Sequence, residues 1–297
     1  MSKFFLNKIN LLTRSLGINK ILLLKKILPH KKLIMHYRHM KFFILHCFGI
    51  ATISALKLLK YFINFQFCYI YSSRIGHLTI NFDNAILSVP ENTFLLCFHE
   101  KKIANNFILN IFKKQKNVFF NKIFKYFYYI IYNVNSNSDL IINWDQYQPK
   151  FCFYLKLKSK IILPSYSDNK LDEILSKYNV KKDFVCLHAR NNFYLKKQET
   201  TDNNFHSFRN FSFQDYELVI NYLKKKNNSI IKIGKTFPEE IFKLKKKDFF
   251  TSIDFNSNEE IDYLLNVYSR YNIIGNSGIS GISYILRKKI IYANFIP

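Results

Sequence analysis

The chain has 297 residues, 48% of them hydrophobic and 22% charged, with 45 Lys and Arg against 20 Asp and Glu for a net charge of +25. At roughly 100 to 200 residues per domain this length suits two domains of similar size. The apolar content, with only 7 Gly and 6 Pro, excludes collagen-like and intrinsically disordered classes.

An abundance of Phe, Tyr, Asn, Ile and Lys fits an AT-rich coding bias, which raises the charge of any protein but does not decide where the charge sits. Residues 1–166 carry 24 basic and 5 acidic side chains, a net +19, whereas 167–297 carry 21 and 15, a net +6. The imbalance is sharpest at the start, where 13 basic residues precede the first carboxylate, Asp83. Within that stretch Ile21 to Leu28 (ILLLKKIL) predicts an amphipathic helix with a basic polar face, the pattern that suits an anionic membrane surface. The longest apolar run, Phe42 to Leu56, spans 15 residues and contains His46, short of the roughly 20 that cross a bilayer. The segment before it lacks the uninterrupted apolar core and small-residue cleavage site of a secretory signal, so none is expected. Residues 1–66 are therefore expected to form a basic arm lying on the inner face of the cytoplasmic membrane, with a single signal anchor as the alternative.

Residues 67–165 read as a first α/β domain: strands at Phe67 to Ser73, Thr93 to Glu100 and Asn117 to Asn121, and helices at Lys101 to Gln115 and near Lys122 to Asn133. Pro149, Pro164 and the polar Ser165 to Asn169 mark a boundary. Residues 166–297 form a second domain, with strands at Asp183 to Arg190, Ser229 to Lys235, Phe249 to Asp254, Tyr271 to Asn276 and Lys289 to Phe295. Capping boxes at Ser212 to Asp215 and Ser257 to Glu260 start helices between them. After the second box, Ile261, Leu264, Leu265 and Tyr268 share one face. Strands separated by single helices pair in parallel through right-handed crossovers, so each domain is expected to be Rossmann-like.

Cys47, Cys68, Cys97, Cys152 and Cys186 stand 21 or more residues apart with no CxxC or CxxxH spacing, which predicts buried thiols in a reducing compartment and no disulfide framework or metal site. In doubly wound sheets ligands bind beyond the carboxyl ends of the strands. The residues to weigh are therefore His188, Arg190, Asn191, Tyr194, Arg209 and Asn210, then Gly234 and Lys235, then Gly275 to Gly278. Ser277 and Gly278 open a helix, whose free amides suit a phosphate, and Arg190 offers the charge a diphosphate needs. The chain has no GxGxxG, no P-loop and no GxSxG, which argues against dinucleotide, NTPase and α/β-hydrolase functions.

Together, Phe184 to Tyr194 (FVCLHARNNFY), Arg209-Asn210, Tyr216, Ile231 to Gly234 and Tyr271 to Gly278 (YNIIGNSG) resemble a family of bacterial proteins assigned as glycosyltransferases and encoded with surface-polysaccharide genes. That family shows a strand ending LHxRD, a nearby Tyr, an RN pair, a strand ending in Gly, and SG ahead of a helix. Its RIGH turn after the first strand is matched by Arg74 to His77. More distantly, the His-x-Arg of His188 and Arg190 is similar to that of GT-B fucosyltransferases, whose Arg contacts the donor diphosphate.

The resemblance implies two Rossmann-like domains in a GT-B-like arrangement and transfer of a sugar from a nucleotide-sugar to a lipid-linked or glycan acceptor, with no other cofactor and no divalent metal. Donor contacts would come from His188, Arg190, Tyr194, Arg209, Asn210, Gly234, Lys235, Ser277 and Gly278. Arg74 and Gly76 would face the acceptor. His77, in the loop after the first strand, is either a general base near its operating pH or a helix-start or substrate-positioning group. Glu100 is a second candidate base. The family's Asp after the Arg is Asn191 here, and family members continue beyond Pro297; both favour the alternative of an inactive membrane-associated scaffold that retains the fold. Nucleic-acid binding is disfavoured, because the aromatics sit in apolar runs rather than between basic residues on an exposed face.

Overall fold

A computed structural model describes residues 31–142, 157–164, 168–177, 180–190, 213–234, 249–251, 258–275 and 277–293. In chain order its elements are α1 (Lys31–Phe62), β1 (Phe65–Ile70), α2 (Ile75–Ser88), β2 (Phe94–His99), α3 (Asn106–Lys113), β3 (Val118–Phe120), α4 (Phe124–Val134) and β4 (Ile141–Ile142). There follow α5 (Asp168–Lys177), β5 (Phe184–His188), α6 (Glu217–Lys225) after a 3₁₀ turn, β6 (Ser229–Lys232), β7 (Phe249–Thr251), α7 (Glu259–Tyr268), β8 (Asn272–Ile274), α8 (Ser280–Ile285) and β9 (Ile290–Tyr292). Two all-parallel sheets result, ordered β3-β2-β1-β4 and β7-β6-β5-β8-β9. The α/β class and both Rossmann-like sheets agree with the sequence expectation. By its internal contacts the chain forms two compact units, the first from Met1–Ile70, Ala85–Glu100 and Lys113–Phe151 and the second from Tyr71–Asn84, Lys101–Phe112 and Cys152–Pro297.

The first unit holds the four-stranded sheet. Its strands are short apolar runs that pair residue for residue, from Phe65 opposite Phe94 to Ile70 opposite His99. Rings fill its interior: Phe67 stacks on Phe127 at 5.5 Å, Tyr69 on Phe98 at 5.0 Å, and Phe98 meets Tyr128 edge-on at 5.3 Å. Such offset and edge contacts add to the area that aromatic side chains bury. Helix α1 joins this core through Ile53. Gly49 allows the close approach, since a Cβ there would stand 2.6 Å from Cγ2 of Val134 on α4. At the helix end Lys60 Nζ reaches both Oδ2 and the carbonyl of Asp139, at 2.6 and 2.8 Å. The apolar run that the sequence ends at Leu56 continues as helix past Lys57 and Lys60. Phe42–Phe62, 21 residues with a mean hydropathy of 1.9, is long and apolar enough to cross a membrane by length and composition.

The second unit holds the five-stranded sheet and also α2 from Ile75 to Asn84. The sequence left Arg74 to His77 in a loop; instead Leu78 N donates to Arg74 O at 2.9 Å and the helix opens at Ile75. One face of α2 carries small and polar residues at helical spacing: Gly76, Thr79 and Asp83. A Cβ on Gly76 would lie 2.8 Å from Gly278 Cα, and one on Gly281 only 1.9 Å from Thr79 Oγ1. Further along, Asp83 pairs with Arg287 at 2.8 Å, its carboxylate only 6% exposed, and accepts from Ser159 Oγ at 3.1 Å. Helix α3 is tied in the same way, because Glu259 Oε2 accepts from the amides of Asn106 and Phe107 at 2.7 and 3.0 Å, capping the α3 start.

Helix α7 is capped by Asn258, whose Oδ1 accepts from the amides of Glu260 and Ile261 at 3.0 and 2.9 Å. The expected cap, Ser257, lies outside the described residues. Behind the sheet, Asn272 Nδ2 donates to Asn266 Oδ1 at 3.1 Å and to Ser283 Oγ at 2.8 Å, while Ser269 Oγ donates to Asn272 Oδ1 at 2.8 Å. All four residues are fully buried, so this network joins α7, β8 and α8 where water cannot replace a lost partner. Cys68, Cys97 and Cys186 are buried free thiols, as expected, whereas Cys47 is exposed.

Candidate functional site

In the five-stranded sheet the chain moves from β5 to β6 on one side and returns to β8 on the other. In an open parallel sheet the crevice beyond the carboxyl ends at such a switch point is where ligands bind. His188 ends β5, Gly275 follows β8, and the amide of Gly275 donates to His188 O at 3.1 Å. A side chain on Gly275 would come within 3.8 Å of His188 O and Ala293 O and 3.9 Å of Arg190 N. Gly234, after β6, has φ +87°, a left-handed conformation that suits glycine. A Cβ there would stand 2.9 Å from the His188 ring and 3.5 Å from Ile279 Cδ1. Tyr216 Oη donates to His188 O at 3.1 Å, anchoring the start of α6 to the same strand end. His188, Arg190, Gly234, Gly275 and Ile279 thus share one sheet edge.

His188 is the electrostatic centre of this edge. Burial foremost, then the charges of Lys232 and Arg190, push its imidazole down to about 3. It is therefore neutral at physiological pH, and a neutral imidazole offers hydrogen bonds rather than charge. Its Nδ1 is buried and has no hydrogen-bond partner among the described residues. Lys232 was missed at the sequence level. It lies in β6 with only 3% of its surface exposed, and the signal was a lysine inside an otherwise apolar strand, Ile230-Ile231-Lys232-Ile233.

The Ser277 to Gly281 segment enters α8 by tight turns. Ser277 O accepts from the amide and hydroxyl of Ser280 at 3.2 and 2.7 Å, Gly278 O from Gly281 N at 3.0 Å, and Ile279 O from Ile282 N at 3.1 Å. The amides of residues 280–282 therefore point back into the turn, and Gly278 lies against Gly76 at the start of α2. This brings two sequence-predicted groups side by side, Arg74 to His77 and Ser277-Gly278. Arg74 and His77 are exposed, and the His77 ring stands 6.1 Å from that of Tyr71.

Glu100 belongs to the first unit, where Tyr69 Oη donates to its Oε1 at 3.0 Å. Burial, then the Glu100 and Tyr132 charges, raise the pKa of neighbouring Tyr129. Tyr194, Arg209, Asn210 and Lys235, with Asn191, lie outside the described residues. Among the described residues no group of three or more His, Cys, Asp or Glu is arranged to hold a metal.

No family model matches the sequence, and no curated protein matches it. Solved structures do. E. coli ADP-heptose LPS heptosyltransferase II is similar over 76% of this chain and 84% of its own, at a TM-score of 0.48 and 7% identity. E. coli heptosyltransferase WaaC with ADP is similar over 77% and 86%, at 0.41 and 11%. The structure of WaaC with ADP-2-deoxy-2-fluoro heptose is similar over 77% and 88%, at 0.41 and 10%. At this identity and superposition the likeness says nothing of side-chain roles.

Proposed function

We propose that this chain is a GT-B-like glycosyltransferase that moves a sugar from a nucleotide-sugar to a glycan or lipid-linked acceptor of a surface polysaccharide, at the inner face of the cytoplasmic membrane. The observation that supports it most is the shared edge at the β5/β8 switch point, where Arg190 N comes close to Gly275 and Gly234 packs against His188. These are the strand-end residues that carry the sequence resemblance. In this reading the bond between the anomeric carbon and the β-phosphate oxygen breaks, a glycosidic bond forms to the acceptor oxygen, and the nucleoside diphosphate leaves. Arg190 stabilises the charge that develops on the leaving diphosphate, a task a fixed cation performs without a divalent metal. His188, held neutral, offers a hydrogen bond. Ser277 and Gly278 approach the phosphates, and Tyr194, Arg209, Asn210 and Lys235 complete the donor side. His77 takes the acceptor proton or orients its hydroxyl, with Arg74 and Gly76 beside it and Glu100 as the second candidate base.

Replacing Arg190 by Ala tests the donor site. Loss of a charge-assisted contact costs about 1.5 to 3 kcal/mol, so affinity for a nucleoside diphosphate should fall roughly tenfold to a hundredfold. Calorimetric titration of both proteins measures this, with the melting temperature as the control for folding. Unchanged affinity in the variant, or no binding of any nucleoside diphosphate by the wild type, removes the donor site.

A further inference from the structure

Helix α1 has two faces with different fates. Gly49, Ile53, Leu56 and Lys60 recur at intervals of four, three and four residues, the spacing of a single helical stripe. Gly49 and Ile53 are buried, Leu56 is packed on the core of the first unit, and Lys60 is bound to Asp139. Apart from the exposed Lys57, which flanks that stripe, the opposite face of the helix over Phe42–Phe62 is mostly apolar and bare. Phe43, Ile44, Phe48, Leu58 and Phe62 are 57–75% exposed, and Cys47, Ala51, Ser54 and Ala55 between them are small and also exposed. A continuous exposed apolar face of this kind marks an interaction site in a folded protein.

Charge names the partner. Lys31, Lys32, Arg38 and Lys41 precede the apolar stretch in the same helix, and residues 1–82 hold 13 basic and no acidic side chains. An apolar helical face preceded in the chain by cations complements an anionic lipid surface, since lipid tails take the apolar face and headgroups the charges.

The packed stripe decides how the helix sits. A span over Phe42–Phe62 needs lipid on all sides, yet the turns from Gly49 to Lys60 are fastened to α4 and to Asp139. Spanning would draw that ion pair and the flank of the folded unit into hydrocarbon, where charge is costly. We propose that α1 lies in the plane of an anionic bilayer, its bare face sunk into the headgroup and acyl boundary and its Gly49-Ile53-Leu56-Lys60 stripe holding the first unit on the surface. At about 1.5 Å per residue its 32 residues give a raft about 48 Å long. This deepens the membrane part of the proposed function and rests on it, but it is independent of the donor site, because membrane binding is measured without turnover.

The test uses the full chain and vesicles of phosphatidylcholine with or without phosphatidylglycerol. Co-flotation with the phosphatidylglycerol vesicles is expected, and high salt should weaken it without abolishing it. A Phe48→Glu/Leu58→Glu variant should lose at least tenfold in partitioning at unchanged melting temperature, because neither side chain is buried. A fluorophore on Cys47, in a Cys152→Ser background, should be quenched by nitroxides shallow in the bilayer, at the roughly 5–10 Å depth of an interfacial helix. Moving the label to position 54 should give the same shallow depth. A deep position for residue 54 means the helix spans, and overturns the proposal. Failure to float, flotation unaffected by the two glutamates, or self-association through this face in place of vesicle binding overturns it equally.

Discussion

In the four-stranded sheet the space between strands and helices is filled by rings; in the five-stranded sheet it is filled by aliphatic chains and by polar groups that bond one another. Phe67, Tyr69, Phe98 and Tyr128 contact through faces and edges, an arrangement that tolerates small shifts because dispersion is not directional. Asn266, Ser269, Asn272 and Ser283 are held by hydrogen bonds of 2.8 to 3.3 Å, which fix distance and angle together. The directional network lies where position matters for the candidate site: it locks α8 to β8, and hence sets Gly275 after the strand and the Ser277 to Ile279 turn before the helix. The first unit needs bulk, the second needs register.

The comparison is broken most severely at Arg287. Its pairing with the largely buried Asp83 ties α2 to the end of α8, and burial raises the Asp83 pKa even though Arg287 and Ser159 pull it down. Removing one partner of such a pair leaves a buried charge uncompensated, at about 3 to 5 kcal/mol. Arg287→Met should therefore lower unfolding free energy by that amount in denaturant titration. The double variant Asp83→Leu/Arg287→Met, with both charges gone, should recover much of the loss. If the double variant is as unstable as the single one, packing around Arg287 matters rather than its charge.

Arg287 and Asp83 also show where the sequence was legible and where it was not. Strands such as Phe184–His188 and Ser229–Lys232 were visible because a strand buried on both faces must be a short apolar run. Helix α2 was not read, because one of the two faces it buries carries Gly76, Thr79 and Asp83, residues that suggest turn or surface until the partner glycines Gly278 and Gly281 are in place. The signal that could have found it is Leu78, Phe82 and Ala85, which recur at helical spacing and are fully buried. The candidate site was half legible for the same reason. The rule that ligands gather at strand ends found His188, Arg190, Gly234 and Gly275, all local in sequence. The proximity of Arg74 to His77 to Ser277-Gly278, and the pressure of Lys232 on His188, arise from contacts across long stretches of chain.

A middle-sized effect sharpens the comparison at the site edge. His188 is shifted from 6.5 to about 3, so between those values the unfolded chain binds a proton that the folded chain refuses. Stability therefore rises with pH across that window and falls as pH drops below about 6.5. By pH 5 this one group should cost about 2 kcal/mol relative to neutral pH. A His188→Gln variant should show a flatter dependence between pH 7 and pH 5 in the same titration. Identical slopes for the two proteins would mean that His188 already takes up its proton in the folded state.

The smallest effect belongs to the ion pair that most resembles Arg287 and Asp83 on paper. Lys60 and Asp139 are 2.6 Å apart, but the Asp139 side chain is 63% exposed. The hydrogen bond from Lys60 is the main cause lowering the Asp139 pKa, partial burial opposes it, and the charges of Lys60 and Lys57 add to the lowering. The sign follows: a depressed carboxylate contributes stability above its unfolded value of 3.8, and loses it as pH falls through the lower folded value. Because water and salt screen an exposed pair, Lys60→Met should change stability at neutral pH by only about 0.2 to 1 kcal/mol. That difference should shrink in 1 M salt, where the screening length is about 3 Å. A loss as large as that of Arg287→Met would show that Lys60 does more than pair with Asp139, and that α1 is fastened to the first unit mainly through its last turn rather than along the whole Gly49-Ile53-Leu56 stripe.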